Sequence, residues 1–178
     1  GESNNSAQLQ QAVGPDLSIG NLGIVTTAVQ AGGLVTITWQ DVNQGSSATA
    51  VAFNDRIVVR NLVVGMILLY TSVVYDPMTS GNGPIAPGES RTRSFTFRLP
   101  DGLKGAGRIG VTVTADQNSA GVGVIYETNL TNNAESNNST TTQARSAAAS
   151  YADLAVTALT APMQGVCGQP VDVGSSVT

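Results

Sequence analysis

The sequence of 178 residues contains no histidine and only one cysteine, Cys167. Histidine is the commonest general base and the commonest protein ligand of transition metals, so its absence excludes Ser-His-Asp, Cys-His and His-based zinc sites from this chain. One cysteine cannot form a disulfide within the chain, and disulfide bonds therefore do not hold the fold together. Cys167 is expected to be a small apolar residue in or beside a strand rather than a reactive thiol.

Charged residues are also scarce, at 11% of the sequence, and the formal net charge is −4. The arginines and the single lysine do not cluster along the chain, which predicts no basic face and no nucleic-acid partner. Nothing in the spacing of the 12 acidic residues selects the facing pair of carboxylates that glycoside hydrolysis needs. The chain is therefore not expected to be an enzyme.

Long hydrophobic runs are missing too. The most apolar run, Leu62–Tyr75, has 14 residues, whereas a membrane-spanning helix needs about 20. This argues against membrane insertion of the segment and predicts a strand. The favoured interpretation is that the run lies in the core between two sheets. At a sheet edge or on an outer face it would instead be a template for strand addition or lateral packing. The contact residues would then be Leu62, Ile67, Leu68 and Leu69.

What the sequence has in quantity is residues that favour β-structure, with 20 glycines and 7 prolines between them. Apolar and polar residues alternate in segments such as LVTITW and RSFTFRL, which predicts strands with one buried face. The predicted strands lie near 17–24, 33–42, 49–60, 62–75, 91–99, 108–115 and 122–127, with Ser139–Arg145 as either an edge strand or part of a polar loop. The expected fold is all-β, an immunoglobulin-like antiparallel β-sandwich of about seven strands. Its core anchors would be Trp39, Phe95 and Phe97.

The string ESNNS occurs twice, at 2–6 and at 135–139. An Asp-Leu pair follows each copy, beginning at Asp16 and at Asp153, and Gly32 has its counterpart in Gly168. The three separations are nearly equal and have a domain's length, which predicts a tandem repeat. The expected boundaries are the tail of a preceding unit with a linker at 1–12, a complete sandwich at 13–145, and a linker with the first strands of the next unit at 146–178.

An ordered set of segments runs through the complete unit: VTITW, NQGSSAT, NDRIVV, IAPGESRTRSFTFRLPDGLKGAG, VTVTADQN, YETN and AESNN. In this order they resemble the cell-adhesion-related domain found in bacteria, CARDB. The closing motif of that family is Glu-x-Asn, a five-residue spacer and Glu-x-Asn-Asn, which here is Glu127, Asn129, Glu135, Asn137 and Asn138. The resemblance implies that ESNNS marks the end of a unit. It also implies a seven-stranded sandwich repeated many times in very long bacterial surface or secreted proteins.

Asp, Asn and Glu residues are concentrated near the predicted junction between units. Calcium binds six to eight oxygens from carboxylates, amides and backbone carbonyls, which makes some of these residues candidate calcium ligands. The candidates are Asp116, Asn118, Glu127, Asn129, Glu135 and Asn137, with Asn138, Asp16 and Asp153 nearby. The favoured alternative is that they supply turn hydrogen bonds, because no EF-hand or nonapeptide spacing is present. No other cofactor is expected.

Together these expectations indicate a non-catalytic, extracellular structural or adhesion module that extends or presents a giant bacterial cell-surface protein. Its partners would be neighbouring repeats, with further copies of the chain or cell-surface and glycan ligands as alternatives. Two other functions stay open at this point: a self-associating subunit of an extracellular filament, and a carbohydrate-binding accessory module of a secreted enzyme. An aromatic content of 4% disfavours the last, because sugar platforms need exposed aromatic side chains.

Overall fold

The computed structural model describes residues 14–150 and 155–178. Its elements are the strands β1 (Leu17–Ile24), β2 (Leu34–Asn43), β3 (Phe53–Asn61), β4 (Met66–Tyr75), β5 (Ser90–Arg98), β6 (Gly107–Thr114), β7 (Ser139–Ser146), β8 (Val156–Thr160) and β9 (Gly174–Val177), with a 3-10 turn at Gly102–Lys104. No helix in these two ranges is long and apolar enough to cross a membrane. The predicted segment 1–12, the first ESNNS string and Asp153 lie outside the described residues.

Two antiparallel sheets form the sandwich. One has the strand order β1-β2-β5 and the other the order β4-β3-β6-β7. One cluster of buried apolar side chains, drawn from both sheets, fills the space between them. The predicted all-β sandwich is therefore confirmed, with seven strands in the two sheets of the described unit.

The core is built from the alternate apolar positions that the sequence pattern predicts. Six of them are at most 2% exposed: Val35, Ile37 and Trp39 on β2, and Ile109, Val111 and Val113 on β6. Full burial of one apolar side chain of this size stabilises the fold by roughly 1.5–3 kcal/mol. Trp39 and Phe97 are buried as expected, whereas Phe95 is only partly buried against the core.

One predicted strand is wrong. Residues 122–127 form no strand, although Val122 and Val124 alternate with glycine and isoleucine there. The reason is that the side chain of Asp116 accepts hydrogen bonds from the backbone N–H groups of Val124 and Ile125, so a neighbouring strand cannot use them. The seventh strand is instead β7, which follows the second ESNNS string and pairs with β6 along its whole length.

The apolar run Leu62–Tyr75 contains a turn and an edge strand. Residues 62–65 form the turn, in which Gly65 has a φ of 71°, a conformation that glycine adopts without strain. Strand β4 then lies at the free edge of its sheet. Only Tyr75 is fully buried, while Leu68, Leu69 and Val73 pack partly against the core. The expectation that the run lies in the core is therefore correct for only one of its faces.

A separate hairpin of β8 and β9 follows the sandwich, and all of its residues are exposed. The residue pairs at its two ends are equivalent to pairs in the hairpin β1–β2, whereas the two pairs between them have no equivalent there. The paired residues are Ile19 with Asp41 and Gly23 with Thr38 in the first hairpin, and Val156 with Val177 and Thr160 with Gly174 in the second. Ile19 and Val156, on the first strands, are separated by the same number of positions as Asp16 and Asp153. Asp41 and Val177, on the second strands, are separated by the same number of positions as Gly32 and Gly168.

Candidate functional site

A buried charge cluster of Trp39, Asp41, Asp55 and Arg93 joins the two sheets. The indole Nε1 of Trp39 donates to Asp41 Oδ1 at 3.0 Å and to Asp55 Oδ2 at 3.1 Å. The Nη1 atom of Arg93 donates to Asp41 at 2.8 Å and to Asp55 at 3.0 Å. Since Asp41 lies on β2 and Asp55 on β3, the cluster links opposite sheets through the core.

Two carboxylates share one guanidinium in this cluster. Burial raises the pKa of Asp41, and it raises the pKa of Asp55 well above its usual range. The charge of Asp41 raises the pKa of Asp55 further, whereas the charge of Arg93 lowers the pKa of both carboxylates. Both carboxylates are 0% exposed, so the cluster has no open face for a substrate. Its role is to brace the sandwich. The sequence did signal it, because Asp41 follows Trp39 on the buried face of β2.

The candidate calcium ligands meet at one end of the sandwich, where β1 and β7 begin and β6 ends. We call this region the acidic corner; it consists of Asp16, Asp116, Glu127, Asn129, Glu135, Asn137 and Asn138. The carboxylate of Asp16 accepts hydrogen bonds from the side-chain amides of Asn129 at 2.8 Å and Asn137 at 2.9 Å. These contacts connect the start of β1 to the loop before β7.

Glu127 occupies the buried part of the acidic corner. Its Oε2 atom accepts the backbone N–H of Leu17 at 2.6 Å, and Oε1 accepts the side-chain amide of Asn138 at 3.0 Å. Burial raises the pKa of Glu127 to about 8, the N–H of Leu17 opposes this shift, and the nearby charges of Glu135, Asp116 and Asp16 add to it. The closing motif of the sequence thus ties the loop before β7 to the first strand of the unit.

Asp116 and Asn118 organise the loop that follows β6. Asp116 has a φ of 44°, and burial raises its pKa while the N–H groups of Val124 and Ile125 lower it. A Cβ atom at Gly123 would lie 2.6 Å from the carbonyl oxygen of Asp116, so only glycine fits there. Asn118 accepts the backbone N–H groups of Ala120 and Val122 in its own turn, apart from the contacts around Asp16 and Glu127.

Asp16, Asp116 and Glu127 each accept hydrogen bonds at both carboxylate oxygens, whereas Asn137 Oδ1 and Asn138 Oδ1 are buried without a partner in the described residues. In the described ranges, no group of three or more Asp, Glu or Cys side chains is arranged to hold a metal ion. Asn118 and Asn129 accept backbone N–H groups within their own turns, as the turn interpretation expects, whereas Asp16 and Glu127 bind to segments that are distant in the chain. The calcium site stays a prediction, and its direct test is given below.

The predicted interface residues lie on and beside β4. Ile67 is 45% exposed, Leu68 and Leu69 pack partly against the core, and Leu62 covers Gly110, where an added Cβ would be 3.1 Å from its side chain. The ten residues of β4 carry no charge, whereas the edge strand β5 carries three arginines. An edge without charges is open to pairing with another strand. Association through this edge stays a prediction.

The fold also brings together basic residues that are dispersed along the sequence, so the expectation of no basic face is wrong. Four arginines share the outer face of the four-stranded sheet: Arg56 and Arg60 on β3, Arg108 on β6 and Arg145 on β7. The only acidic residue in these four strands, Asp55, points into the core. The strand register, which cannot be read from the sequence, brings these arginines onto one face.

Comparison with known families gives one assignment. The family model for CARDB matches residues 14–137, which include both sheets except for β7. No curated protein matches the sequence.

Several solved structures are similar to this chain. The crystal structure of a CARDB domain from Pyrococcus furiosus in complex with di-metal ions is 15% identical, with 78% of this chain and 98% of that chain covered and a TM-score of 0.48. The solution structure of that domain is 17% identical, with 76% and 98% covered and a TM-score of 0.47. The sporulation control protein of Bacillus subtilis is 17% identical, with 76% and 50% covered and a TM-score of 0.39.

Proposed function

The chain belongs to the CARDB family, and we propose that it is a non-catalytic module in a tandem array of β-sandwiches, which extends or presents a large extracellular protein at the bacterial cell surface. CARDB domains form a family of structural or adhesion-like modules that are typical of surface and secreted proteins. The described unit fits this role because its buried charge cluster links the two sheets and its acidic corner joins the first strand to the loop before β7.

The register of the β8–β9 hairpin is the observation that carries the proposal. Two hairpins of one chain that share two residue pairs at the spacing of the sequence repeat are expected when both begin the same kind of unit. Both also have a register irregularity within the first strand, between Gly20 and Gly23 and between Val156 and Ala158. The second hairpin therefore supports a second sandwich that starts after the linker.

The side chains of the second hairpin agree with this interpretation. Three apolar residues, one on β8 and two in the segment before β9, correspond to positions that are buried in the complete unit. Val156, Val171 and Val173 are 66%, 49% and 60% exposed, and they correspond to Ile19, Val35 and Ile37, which are at most 7% exposed. An apolar face of this kind is stabilised when further strands cover it.

The proposal can be tested by joining two units in the natural register. In this joined protein, residues 1–152 are followed directly by a second copy of residues 16–178, because Asp16 and Asp153 are equivalent positions in the repeat. Small-angle X-ray scattering and calorimetry then compare this protein with the single chain. A matched control carries Ile37→Asp in the second copy, which places a charge in that core.

A spacer array is expected to give a largest dimension about twice that of one sandwich, and about twice the unfolding enthalpy at an unchanged midpoint. The control should retain about half of that enthalpy. A protein that collapses into one compact body, or whose second copy does not fold, would contradict the proposal.

A second candidate function is self-association into an extracellular filament, and the uncharged edge of β4 favours it. Strand addition at β4 would extend the four-stranded sheet into that of a second copy. A subunit of this kind forms oligomers in solution, whereas a spacer stays monomeric, and sedimentation of the chain distinguishes the two.

A further inference from the structure

We propose that the outer face of the four-stranded sheet binds an acidic polysaccharide, and that Arg60, Arg108 and Arg145 hold its carboxylate groups. The inference deepens the proposed module function, on which it rests for the extracellular setting, by naming a class of ligand. It starts from strand register. Arg108 and Arg145 are direct partners on β6 and β7, and Arg60 pairs with Gly110, two residues beyond Arg108.

This register places three guanidinium groups close together. Direct partners on one face of an antiparallel pair have Cβ atoms about 4.5–5.5 Å apart, and diagonal neighbours about 7–8 Å apart. Arg108 and Arg145 are both exposed, as is Arg60. Their charges therefore face solvent on one side of the sheet within reach of a single ligand.

The three arginines have no partner within the described parts of the chain. Neither a hydrogen bond nor an ion pair involves their guanidinium groups, whereas Arg93 binds Asp41 and Asp55 and Arg91 binds Glu89. Like charges directly opposite one another destabilise a sheet. In a chain with a net charge of −4, such an unpaired group of cations is explained by an anionic ligand that neutralises it.

The surface around the arginines is shaped for a ligand of some length. A shallow pocket of about 490 Å³ is lined by Val63, Gly107, Arg108, Gln143, Ala144 and Arg145. Beyond it on the same face, the hydroxyl groups of Thr112 and Thr141 form a hydrogen-bonded pair at 2.8 Å. Guanidinium groups bind carboxylates with two parallel hydrogen bonds. The amide of Gln143 and the threonine hydroxyls offer contacts for sugar hydroxyls.

The position of the patch argues against a peptide ligand. A peptide that joins a sheet needs unpaired backbone groups at an edge. Arg145 lies on the edge strand β7, but Arg60 and Arg108 lie on β3 and β6, which have partner strands on both sides, so a strand added at β7 would not pair with them. Recognition must therefore come from side chains. Nucleic acid fits poorly, because the bases of a single strand need aromatic side chains to stack on. The exposed aromatic ring on this face, Tyr70, already lies against Arg56.

The test measures binding of the full chain to immobilised polygalacturonate by biolayer interferometry. The variant is Arg108→Thr with Arg145→Thr, and its matched control is Arg98→Thr with Lys104→Thr. The control removes two positive charges from exposed positions at the same end of the sandwich but off this face. The variant is expected to fold, because removal of two facing like charges does not weaken the sheet, and its melting temperature verifies this.

We expect the variant to lose about 10-fold or more in affinity and the control less than about 3-fold. Neutral dextran should not bind, and single-stranded DNA should bind more weakly than polygalacturonate. Equal losses in variant and control, equal binding of DNA, or no binding of polygalacturonate would overturn the inference. So would self-association that the variant abolishes, since it would assign the face to a protein partner. The experiment with two joined units measures shape and unfolding, so failure there is distinguishable from failure of this binding test.

Discussion

The carboxylates of Asp41 and Asp55 meet at the indole N–H of Trp39, at 3.0 and 3.1 Å, although the two residues belong to opposite sheets. Arg93 closes this arrangement with a hydrogen bond to each carboxylate. A sandwich without disulfide bonds thus has a polar link through its interior, and the stability of the fold depends on how well that link is neutralised.

Arg93→Met should strongly destabilise the protein. It leaves two buried carboxylates without a cation, and such a loss typically lowers the free energy of unfolding by about 3–5 kcal/mol. The matched control is Arg60→Met, which removes the same charge from an exposed side chain and should change the free energy by less than about 0.5 kcal/mol. Urea denaturation measures both variants. A loss below that of the control would show that the buried charge cluster does not brace the sheets.

The stability of the sandwich should fall as the pH rises from 5 to 9. The folded pKa of Glu127 is about 8, above its usual value of 4.5. The folded protein therefore retains a proton that the unfolded chain releases, and the stabilisation is complete below pH 4.5 and lost as the pH rises through 8. We expect a fall in melting temperature on the order of 5–10 °C.

Glu127→Gln should flatten this pH dependence, because glutamine stays neutral. Its amide oxygen can accept the N–H of Leu17, and its amide nitrogen can donate to the unpartnered Asn138 Oδ1 once the Asn138 amide, whose nitrogen faces Glu127 in the wild type, has turned over. Glu89→Gln is the matched control. The hydrogen bond from Arg91 lowers the pKa of Glu89, so its stabilisation is present above 4.5 and is lost only in acid. A melting temperature that stays constant between pH 5 and 9 in the wild type would contradict the raised pKa of Glu127.

A ligand that binds only the native state raises the melting temperature. Calcium is expected to change it by less than about 2 °C relative to a chelator, because the carboxylate oxygens of Asp16 and Glu127 already accept hydrogen bonds. Thermal unfolding with each additive measures the effect. A rise of several degrees in calcium that Asp16→Asn abolishes would establish the calcium site and displace the hydrogen-bond interpretation.

Substitutions on β4 should separate its core face from its open edge. Leu69→Lys places a charge against the core and should lower the free energy of unfolding by about 2–4 kcal/mol. Ile67→Lys changes a position that is 45% exposed and should lower the free energy of unfolding by less than about 1 kcal/mol. Denaturation measures both. Equal losses would show that Ile67 is also a core residue.

Sedimentation of the same proteins then tests the filament alternative. Oligomers of the wild type that Ile67→Lys converts into monomers would support association through β4. Monomers in both proteins would exclude this edge as the site of assembly and leave the spacer function.

The fold could be predicted from sequence where a local pattern decides the structure. Alternation placed Val35, Ile37 and Trp39 on one buried face, and the structure confirms it. Residues 122–127 show where alternation fails, because the side chain of Asp116 captures two backbone donors of a segment whose pattern resembles a strand.

The candidate sites depend on register and burial, which a single sequence does not contain. Arg60 and Arg145 are far apart in the sequence, and only the pairing of β3, β6 and β7 brings them onto one face. The closing motif was easier to predict, since its residues are neighbours in the chain. Even so, the contact of Glu127 with the backbone of Leu17 could not be seen without the structure.

The hydrogen bond between Asp16 and Asn137 joins residues that are 121 positions apart. A ribosome must therefore translate nearly the whole unit before its beginning and its end can meet, since closure waits for the last strand to be synthesised. During synthesis of a tandem array, each sandwich would then complete its folding before the next one is finished, which leaves little time for strand swapping between neighbouring repeats of similar sequence.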